Sequence, residues 1–298
     1  EPIDLGSEVV SASRISSLSK NTPGDVTIIT REDIQKINPA GVIDLLRLAP
    51  GVYIDQKGGR GSISSVNLRG ADPNYTLVLI DGVKVNDPTN ARGGSFNFST
   101  LNVENIERIE IVRGPMSSVH GSDALAGVIN IITVHPTQDL AFAMEGEMDV
   151  HRNVSGGFQT SGRVGTKANF ALTTSYASRD DIMEGDSFEC GEVTGKIHFS
   201  PSDVLDFGAN VRISDSNSES FPDDSGGPEY AAQDAVDKVK TRETGLGLEA
   251  TLQPSSQFSW SVSGTLLNRD EDLNSPGVAP GLRDPYGIPP NRFDNSYS

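Results

Sequence analysis

The C-terminal half of the chain alternates apolar and polar residues with period two, strand after strand. Residues 204–213 show it best, with Leu205, Phe207 and Val211 on one face and Arg212 on the other. Because successive side chains of a β-strand point to opposite faces, each such run predicts a strand with one apolar face. Similar runs lie at 140–150, 245–252 and 258–266, and weaker ones at 154–164, 169–178 and 190–199. The pattern therefore predicts seven strands.

The connections between these strands alternate in length. Residues 200–203 and 253–256 are short turns, whereas 214–242 and the residues after 269 are long and polar. Short turns at one end and long loops at the other are typical of outer-membrane β-barrels. A soluble β-sandwich is the alternative, but in this chain charge collects on the polar faces and almost avoids the apolar ones. We therefore predict antiparallel transmembrane β-barrel strands over residues 136–298.

Seven strands do not close such a barrel. Single-chain bacterial barrels have an even number of strands, and an open edge in lipid leaves backbone groups unpaired. The last residues, 295–298, are expected to lie in a long loop. The barrel is therefore expected to be incomplete, with further C-terminal barrel strands following Ser298.

In the N-terminal part, the pattern of helix and strand signals predicts an α+β domain over residues 16–135. Thr30 is the expected N-cap of a first helix, with Asp33 three residues later. A second helix is predicted over 41–49, ended by Pro50 and Gly51. Strands are predicted at 26–30, 66–68, 76–80, 106–112 and 124–133, and Asp81-Gly82 predicts a tight hairpin turn.

Charge and composition exclude several functions. The net charge of −17 would repel DNA or RNA, so no nucleic-acid partner is expected. The one cysteine, Cys190, forms no internal disulfide or zinc set. His120 lies too close in sequence to Ser122 and Asp123 to form a catalytic triad with them. We therefore predict no catalytic residues and no enzyme.

Five segments of the N-terminal domain, in order and at family spacing, resemble the plug of TonB-dependent receptors. They read DLLRLAPGV at 44–52, NLRG at 67–70, LVLIDGVKV at 77–85, IERIEIVRGP at 106–115 and VHGSDALAGVINIIT at 119–133. The stretch GGRGSISSVNLRG at 58–70 resembles the first plug loop of the cobalamin receptor branch.

The resemblance implies a plug inside a 22-stranded barrel in the bacterial outer membrane, and the predicted strands of this chain supply about seven of them. It implies active import of cobalamin, with a ferric siderophore as the second candidate ligand. A passive porin-like barrel and a soluble periplasmic binding module are the alternatives from other classes.

Near the N-terminus, residues 1–15 contain a segment, GSEVVSA at 6–12, that resembles the TonB box. The resemblance implies that this segment binds TonB, the energy transducer of the inner membrane, by adding a strand to it. The implied TonB-binding residues are Ser7, Glu8, Val9, Val10, Ser11 and Ala12. Glu8 departs from the usual apolar residue, and an ordinary chain terminus is the alternative.

Arg69 and Arg113 each precede a glycine in the plug motifs. The resemblance implies a plug–barrel lock in which both pair with barrel carboxylates, since bidentate carboxylates suit a buried guanidinium. Partners are expected among Glu145, Glu147 and Glu249, or in strands that follow this sequence. The alternative is that both arginines only staple the plug internally.

Polar and acidic loop residues give the remaining candidates. Ligand contacts at the plug apex are predicted for Lys57, Arg60, Ser62, Ser64, Asn90 and Arg92. No cofactor is required, but two acidic loops could share a calcium ion, because calcium takes six to eight oxygen ligands. The candidate calcium ligands are Asp180, Asp181, Asp186, Asp223 and Asp224, and solvated acidic loops are the alternative.

Overall fold

The computed structural model describes most of the chain and divides it into two compact units. The described residues are 8–9, 17–18, 25–56, 64–89, 94–179, 185, 187–220, 236–255, 257–277, 280 and 286–297. The N-terminal unit comprises Glu1–Asp55, Ser64–Phe98 and Ile106–Thr133. The C-terminal unit comprises Gln56–Ile63, Ser99–Asn105 and Val134–Ser298. Residues 99–105 therefore belong with the C-terminal strands.

The N-terminal half is an α+β arrangement. In chain order it contains β1 (Glu8–Val9), β2 (Ser17–Leu18), β3 (Asp25–Thr30), α1 (Arg31–Ile37), α2 (Val42–Arg47), β4 (Val52–Gln56), β5 (Ser64–Leu68), β6 (Thr76–Ile80), β7 (Val83–Lys84), β8 (Ile106–Arg113), α3 (Ser117–His120) and β9 (Gly127–Thr133). The central sheet has the order β3-β8-β9-β6-β7, with β6 and β9 parallel. Strands β1 and β2 pair with each other, as do β4 and β5.

Two local signals in the sequence are confirmed by this half. Thr30 caps α1 with a capping box, in which its side chain accepts from the Asp33 N–H and the Asp33 carboxylate accepts from the Thr30 N–H. Hydrogen bonds from Thr30 lower the pKa of the Asp33 carboxyl. Asp81 and Gly82, with φ of 49° and 81°, form the predicted turn between β6 and β7. Both residues require the left-handed region that Asp and Gly tolerate best.

Predicted boundaries in this half shift by one to three residues. Helix α2 is shorter than the predicted 41–49, because Gly41 is its N-cap and Leu48 its C-cap. Strand β9 begins at Gly127 rather than 124, because Ser122–Ala124 forms a 3-10 turn. The core of the central sheet includes four isoleucines that are fully buried: Ile109, Ile111, Ile129 and Ile131.

Among the described residues, the C-terminal half forms an antiparallel sheet of eight strands, one more than the seven that the sequence pattern predicts. They are β10 (Ala141–Met148), β11 (Val154–Val164), β12 (Ala168–Arg179), β13 (Phe188–Ser202), β14 (Leu205–Ser220), β15 (Asp237–Ser255), β16 (Phe258–Ser275) and β17 (Asn291–Tyr297). Each pairs with the next in sequence. The predicted loop over the last residues is wrong, because 291–297 pair with β16.

The predicted long connections are also shorter at both ends. Strand β14 continues to Ser220, β15 begins at Asp237 and β16 continues to Ser275, all inside segments expected to be loops. These strand ends carry polar residues on both faces. A pattern that requires one apolar face therefore does not predict them.

The predicted separation of apolar and polar faces is confirmed. Apolar side chains on one face are exposed, with Trp260 67% and Leu248 54% accessible. On the opposite face, Glu192, Arg212 and Glu243 are buried. A sandwich would bury the apolar face instead, so this arrangement fits lipid-facing barrel strands. No helix among the described residues is long and apolar enough to cross a membrane.

Candidate functional site

Five charged side chains, four of them buried and one partly exposed, form what we call the buried charge chain across the polar face of four neighbouring strands. They are Glu192 on β13, Arg212 on β14, Glu243 on β15, and Arg269 and Glu271 on β16. Arg212 Nε lies 2.7 Å from Glu192 Oε1, and its Nη1 lies 2.7 Å from Glu243 Oε2. Arg269 Nη1 lies 2.9 Å from Glu243 Oε1, and Arg269 Nη2 lies 2.6 Å from Glu271 Oε2. Each guanidinium thus bridges the two carboxylates on either side of it.

Strand register explains how Arg212 reaches both glutamates. Ser214 lies directly between Glu192 and Glu243 in the sheet, and its short side chain leaves the space above it open. Arg212 stands two residues away on the same face, opposite Gly245, which has no side chain. The guanidinium can therefore lie across Ser214 and reach a carboxylate on each neighbouring strand.

The buried charge chain holds residues 99–105, which we call the docked segment. Arg212 Nη2 donates to the Thr100 carbonyl oxygen at 2.7 Å. The Asn102 N–H donates to Glu192 Oε2 at 3.0 Å, and Thr100 Oγ1 donates to Glu243 Oε2 at 3.4 Å. Glu192, Arg212 and Glu243 therefore each bond to the docked segment.

Neighbouring strands add uncharged contacts to the docked segment. Asn102 Nδ2 donates to Ser175 Oγ at 3.0 Å and to the Cys190 carbonyl oxygen at 3.3 Å. Gln159 Nε2 donates to the Glu104 carbonyl oxygen at 2.7 Å. A Cβ at Gly157 would lie 2.9 Å from Glu104 Cβ, so the glycine lets the segment pass close to β11 and a side chain there would require a small shift. Alternate residues of the docked segment thus contact the sheet: Thr100, Asn102 and Glu104.

Desolvation explains why these bonds matter. A buried charge is costly unless it is paired and its remaining donors or acceptors are satisfied. The buried charge chain contains three carboxylates and two guanidiniums, so salt bridges alone leave carboxylate oxygens in need of donors. The docked segment supplies a main-chain N–H and a hydroxyl to them. The arrangement is chemically suited to holding a peptide segment in one register.

Arg69 and Arg113, predicted to lock plug to barrel, make their described contacts inside the N-terminal unit. Arg113 is buried, with Nη1 2.9 Å from Asp25 Oδ1, Nε 2.6 Å from the Pro50 carbonyl oxygen, and a hydrogen bond to Thr27. Arg69 Nη2 lies 3.1 Å from Asp25 Oδ2. These contacts match the alternative of an internal staple, and pairing with barrel carboxylates stays a prediction.

The buried barrel carboxylates are not the ones that the sequence suggested. Glu145, Glu147 and Glu249 are exposed, whereas Glu192 and Glu243 are buried. The signal available in the sequence was Arg212, a cation at an inward-facing position of a strand. Its partners could not be read from the sequence, because they depend on strand register.

The predicted TonB-binding segment is described only in part. Glu8 and Val9 form β1 and pair with Leu18 and Ser17 of β2, so their backbone is extended, as strand addition requires. Ser7, Val10, Ser11 and Ala12 lie outside the described residues. The role of all six in binding TonB stays a prediction.

Ligand and calcium candidates fall mostly outside the described residues. Of the ligand contacts, only Ser64 is described, and it is the buried first residue of β5. Outside the described residues lie Lys57, Arg60, Ser62, Asn90 and Arg92, and the calcium candidates Asp180, Asp181, Asp186, Asp223 and Asp224. Within the part that is described, no group of three or more His, Cys, Asp or Glu side chains is placed to hold a metal ion. Both sets stay predictions.

Comparison with known proteins gives consistent matches. Residues 19–128 match the family model described as TonB-dependent Receptor Plug Domain. The chain is 39% identical over 126 residues to the Vitamin B12 transporter BtuB of Vibrio vulnificus strain YJ016, covering 42% of this chain and 20% of that protein. It is 28% identical over 257 residues to BtuB of strain CMCP6, covering 84% of this chain and 41% of that protein.

Solved structures share the fold. The ferric yersiniabactin uptake receptor FyuA of Yersinia pestis superposes with a TM-score of 0.67 at 16% identity, over 87% of this chain and 42% of that one. The chain thus spans less than half the length of each of these relatives. The docked segment lies within the residues matched by the plug model, although it packs with the strands.

Proposed function

Because the chain belongs to the TonB-dependent receptor family of the bacterial outer membrane, as its sequence motifs predicted, we propose that it takes part in active import of cobalamin. The support for this ligand is the name of the two relatives, both vitamin B12 transporters. The family consists of transporters and receptors rather than enzymes. Cobalamin import by the protein that contains this chain is our proposal.

One structural observation carries the transport mechanism: a segment of the plug domain is docked on the polar face of barrel strands by a buried charge chain. A passive porin-like barrel needs no such attachment, because nothing in it has to be held and released. The docked segment therefore favours a gated transporter over the passive alternative.

The proposed mechanism couples ligand binding to an external pull. Cobalamin binds at the plug apex, to residues among Lys57–Ser64 and Asn90–Arg92. Residues 6–12 are then captured by TonB as an added strand, whose main-chain hydrogen bonds transmit force with little demand on side-chain identity. The pull displaces part of the plug and opens a path for the ligand.

A ferric siderophore is the second candidate ligand. The observation in its favour is that the protein superposes on the ferric yersiniabactin uptake receptor, although at 16% identity this likeness concerns the fold alone. Apart from Ser64, the predicted ligand contacts lie outside the described residues, so geometry does not separate the two ligands.

Uptake by whole cells tests the proposal. Cells that lack their own cobalamin receptor and express this protein should accumulate labelled cyanocobalamin and not ferric siderophores. Deleting residues 6–12 should abolish uptake and keep binding, whereas Ser7→Ala, which keeps every backbone donor, should transport normally. Uptake that survives the deletion would mean a passive pore, and uptake of only ferric siderophores would replace cobalamin as the ligand.

A further inference from the structure

The docked segment divides the plug sequence into two parts. Residues 99–105 lie between β7, which ends at Lys84, and β8, which begins at Ile106. The residues on both sides, up to Phe98 and from Ile106, belong to the N-terminal unit. In chain order the docked segment therefore separates residues 6–98 from residues 106–133, although β3 also pairs directly with β8.

The docked segment is attached more firmly than a surface loop would be. Arg212, Glu192 and Glu243 are each more than nine-tenths buried and each bond to it. Releasing the segment would leave carboxylates in need of donors in a low-dielectric setting, which is costly. Charge-assisted hydrogen bonds are also about twice as strong as neutral ones.

Arg212 occupies the central position in this attachment. Its three guanidinium nitrogens are each used: Nε for Glu192, Nη1 for Glu243 and Nη2 for the Thr100 carbonyl oxygen. A planar fork with fixed donors orients all three partners at once, which a lysine ammonium cannot do. Removing the guanidinium would both free the Thr100 carbonyl and deprive two buried carboxylates of their shared cation.

We propose that residues 99–105 are a fixed anchor of the plug, which stays seated on strands β11–β15 while residues before it are displaced, and that Arg212 is its positioning residue. This inference rests on the proposed function, because only a transported ligand requires part of the plug to move.

A reversible covalent bond between the anchor and the sheet tests the proposal. Glu104 Cβ lies 2.9 Å from the Cβ position of Gly157, so cysteines at both positions need a shift of only roughly 1 Å to reach disulfide geometry. The variant carries Glu104→Cys and Gly157→Cys in a Cys190→Ser background. The oxidised protein should take up ligand at the same initial rate as the reduced protein, because the anchor does not leave the strands.

Uptake that is lost on oxidation and restored by reductant would overturn the anchor while leaving the proposed function intact. If the parent protein carries neither cyanocobalamin nor a ferric siderophore into cells, the proposed function fails and the anchor with it. The two failures are distinguishable, because the first requires that the reduced variant transports.

Thiol labelling tests the role of Arg212 without transport. Leu101 is buried within the docked segment, so Leu101→Cys in the Cys190→Ser background should react slowly with a maleimide in the purified protein. Adding Arg212→Ala should raise the labelling rate about tenfold or more, the factor that corresponds to roughly 1.4 kcal/mol. Arg212→Lys should restore little of the protection, and Arg242→Ala on the opposite face should change nothing. Equal labelling rates with and without Arg212 would overturn its positioning role.

Discussion

Arg212 donates from Nη2 to the main-chain carbonyl oxygen of Thr100 at 2.7 Å, across 112 residues of sequence. The bond joins a membrane strand to a segment of the plug domain. The donor is a guanidinium that two buried carboxylates hold in place. The orientation of the guanidinium therefore does not depend on the Thr100 carbonyl. A preoriented donor of this kind selects one register of the segment that docks on it.

Removing this guanidinium should lower the stability of the protein strongly. In Arg212→Ala, Glu192 and Glu243 stay buried without their shared cation, and we expect the free energy of unfolding to fall by about 3–5 kcal/mol. Urea titration of the protein in a bilayer, followed by tryptophan fluorescence of Trp260, measures the change.

The matched control is Arg242→Ala, on the neighbouring strand. Arg242 pairs with Asp215 at 2.8 Å, but its side chain is 63% exposed. An exposed pair contributes about 0–1 kcal/mol. Equal losses in the two variants would contradict the view that burial makes the Arg212 contacts strong.

The capping box at α1 should give a pH-dependent contribution. Hydrogen bonds from Thr30 hold the pKa of Asp33 below its ordinary value, so the folded state favours the ionised carboxyl. Stability from this carboxyl is therefore complete above the unfolded pKa of about 3.9 and is lost as pH falls through the lower folded pKa.

Hydrogen exchange of the α1 amides measures this cap. Thr30→Ala should speed their exchange at neutral pH roughly fivefold, which corresponds to ~1 kcal/mol. The destabilisation caused by Asp33→Asn, measured by acid and neutral unfolding, should shrink as pH falls below about 4. Glu32→Gln is the control, because the Glu32 carboxylate pairs with the exposed Lys36. A destabilisation that grows toward low pH would contradict a lowered pKa of Asp33 in the folded state.

Gly127 should tolerate no side chain. A Cβ there would lie 2.2 Å from the Val112 carbonyl oxygen and 2.7 Å from Leu68 Cδ1, and φ is +153°. Backbone on β8 cannot move aside without breaking the central sheet, so we expect Gly127→Ala to cost about 3 kcal/mol or more. Gly191→Ala, where a Cβ would have open space, should be nearly neutral in the same unfolding measurement.

The predicted TonB segment should fail when a backbone donor is removed. Strand addition depends on main-chain hydrogen bonds, and proline has no N–H to donate. Val9→Pro should therefore abolish energy-dependent uptake while equilibrium ligand binding is kept, and Val9→Ala should retain uptake. Normal uptake by Val9→Pro would place the TonB contact in another part of the chain.

Local chemistry made much of the fold predictable. The helix start at Thr30 and the turn at Asp81 and Gly82 each depend on a few adjacent residues, and both are present where the sequence indicates them. The alternation of 205–213 likewise predicts both the strand and the face that carries Arg212. These features are predictable from the sequence because each depends on adjacent residues and not on a distant partner.

Strand ends and binding partners were not predictable in the same way. Strands β14 and β15 continue past their apolar residues, where cross-strand pairs such as Arg242 with Asp215 replace the apolar pattern. Glu192 and Glu243 lie 20 and 31 residues from Arg212, and only the register of three strands brings them to it. Such ion pairs depend on the register of the assembled sheet, so the sequence around each residue does not predict them.

The length of the strands has a consequence for how such a receptor can diversify. Strand β15 has 19 residues, although a tilted strand crosses lipid with about ten. The remainder carries cations on its outer side, and two of them pair with acidic residues of the neighbouring strand, Lys238 with Glu219 and Arg242 with Asp215. The ion-paired part of the sheet thus extends beyond the stretch needed to cross lipid, so the residues that connect β14 to β15 can change in length and sequence without disturbing the face that meets the membrane.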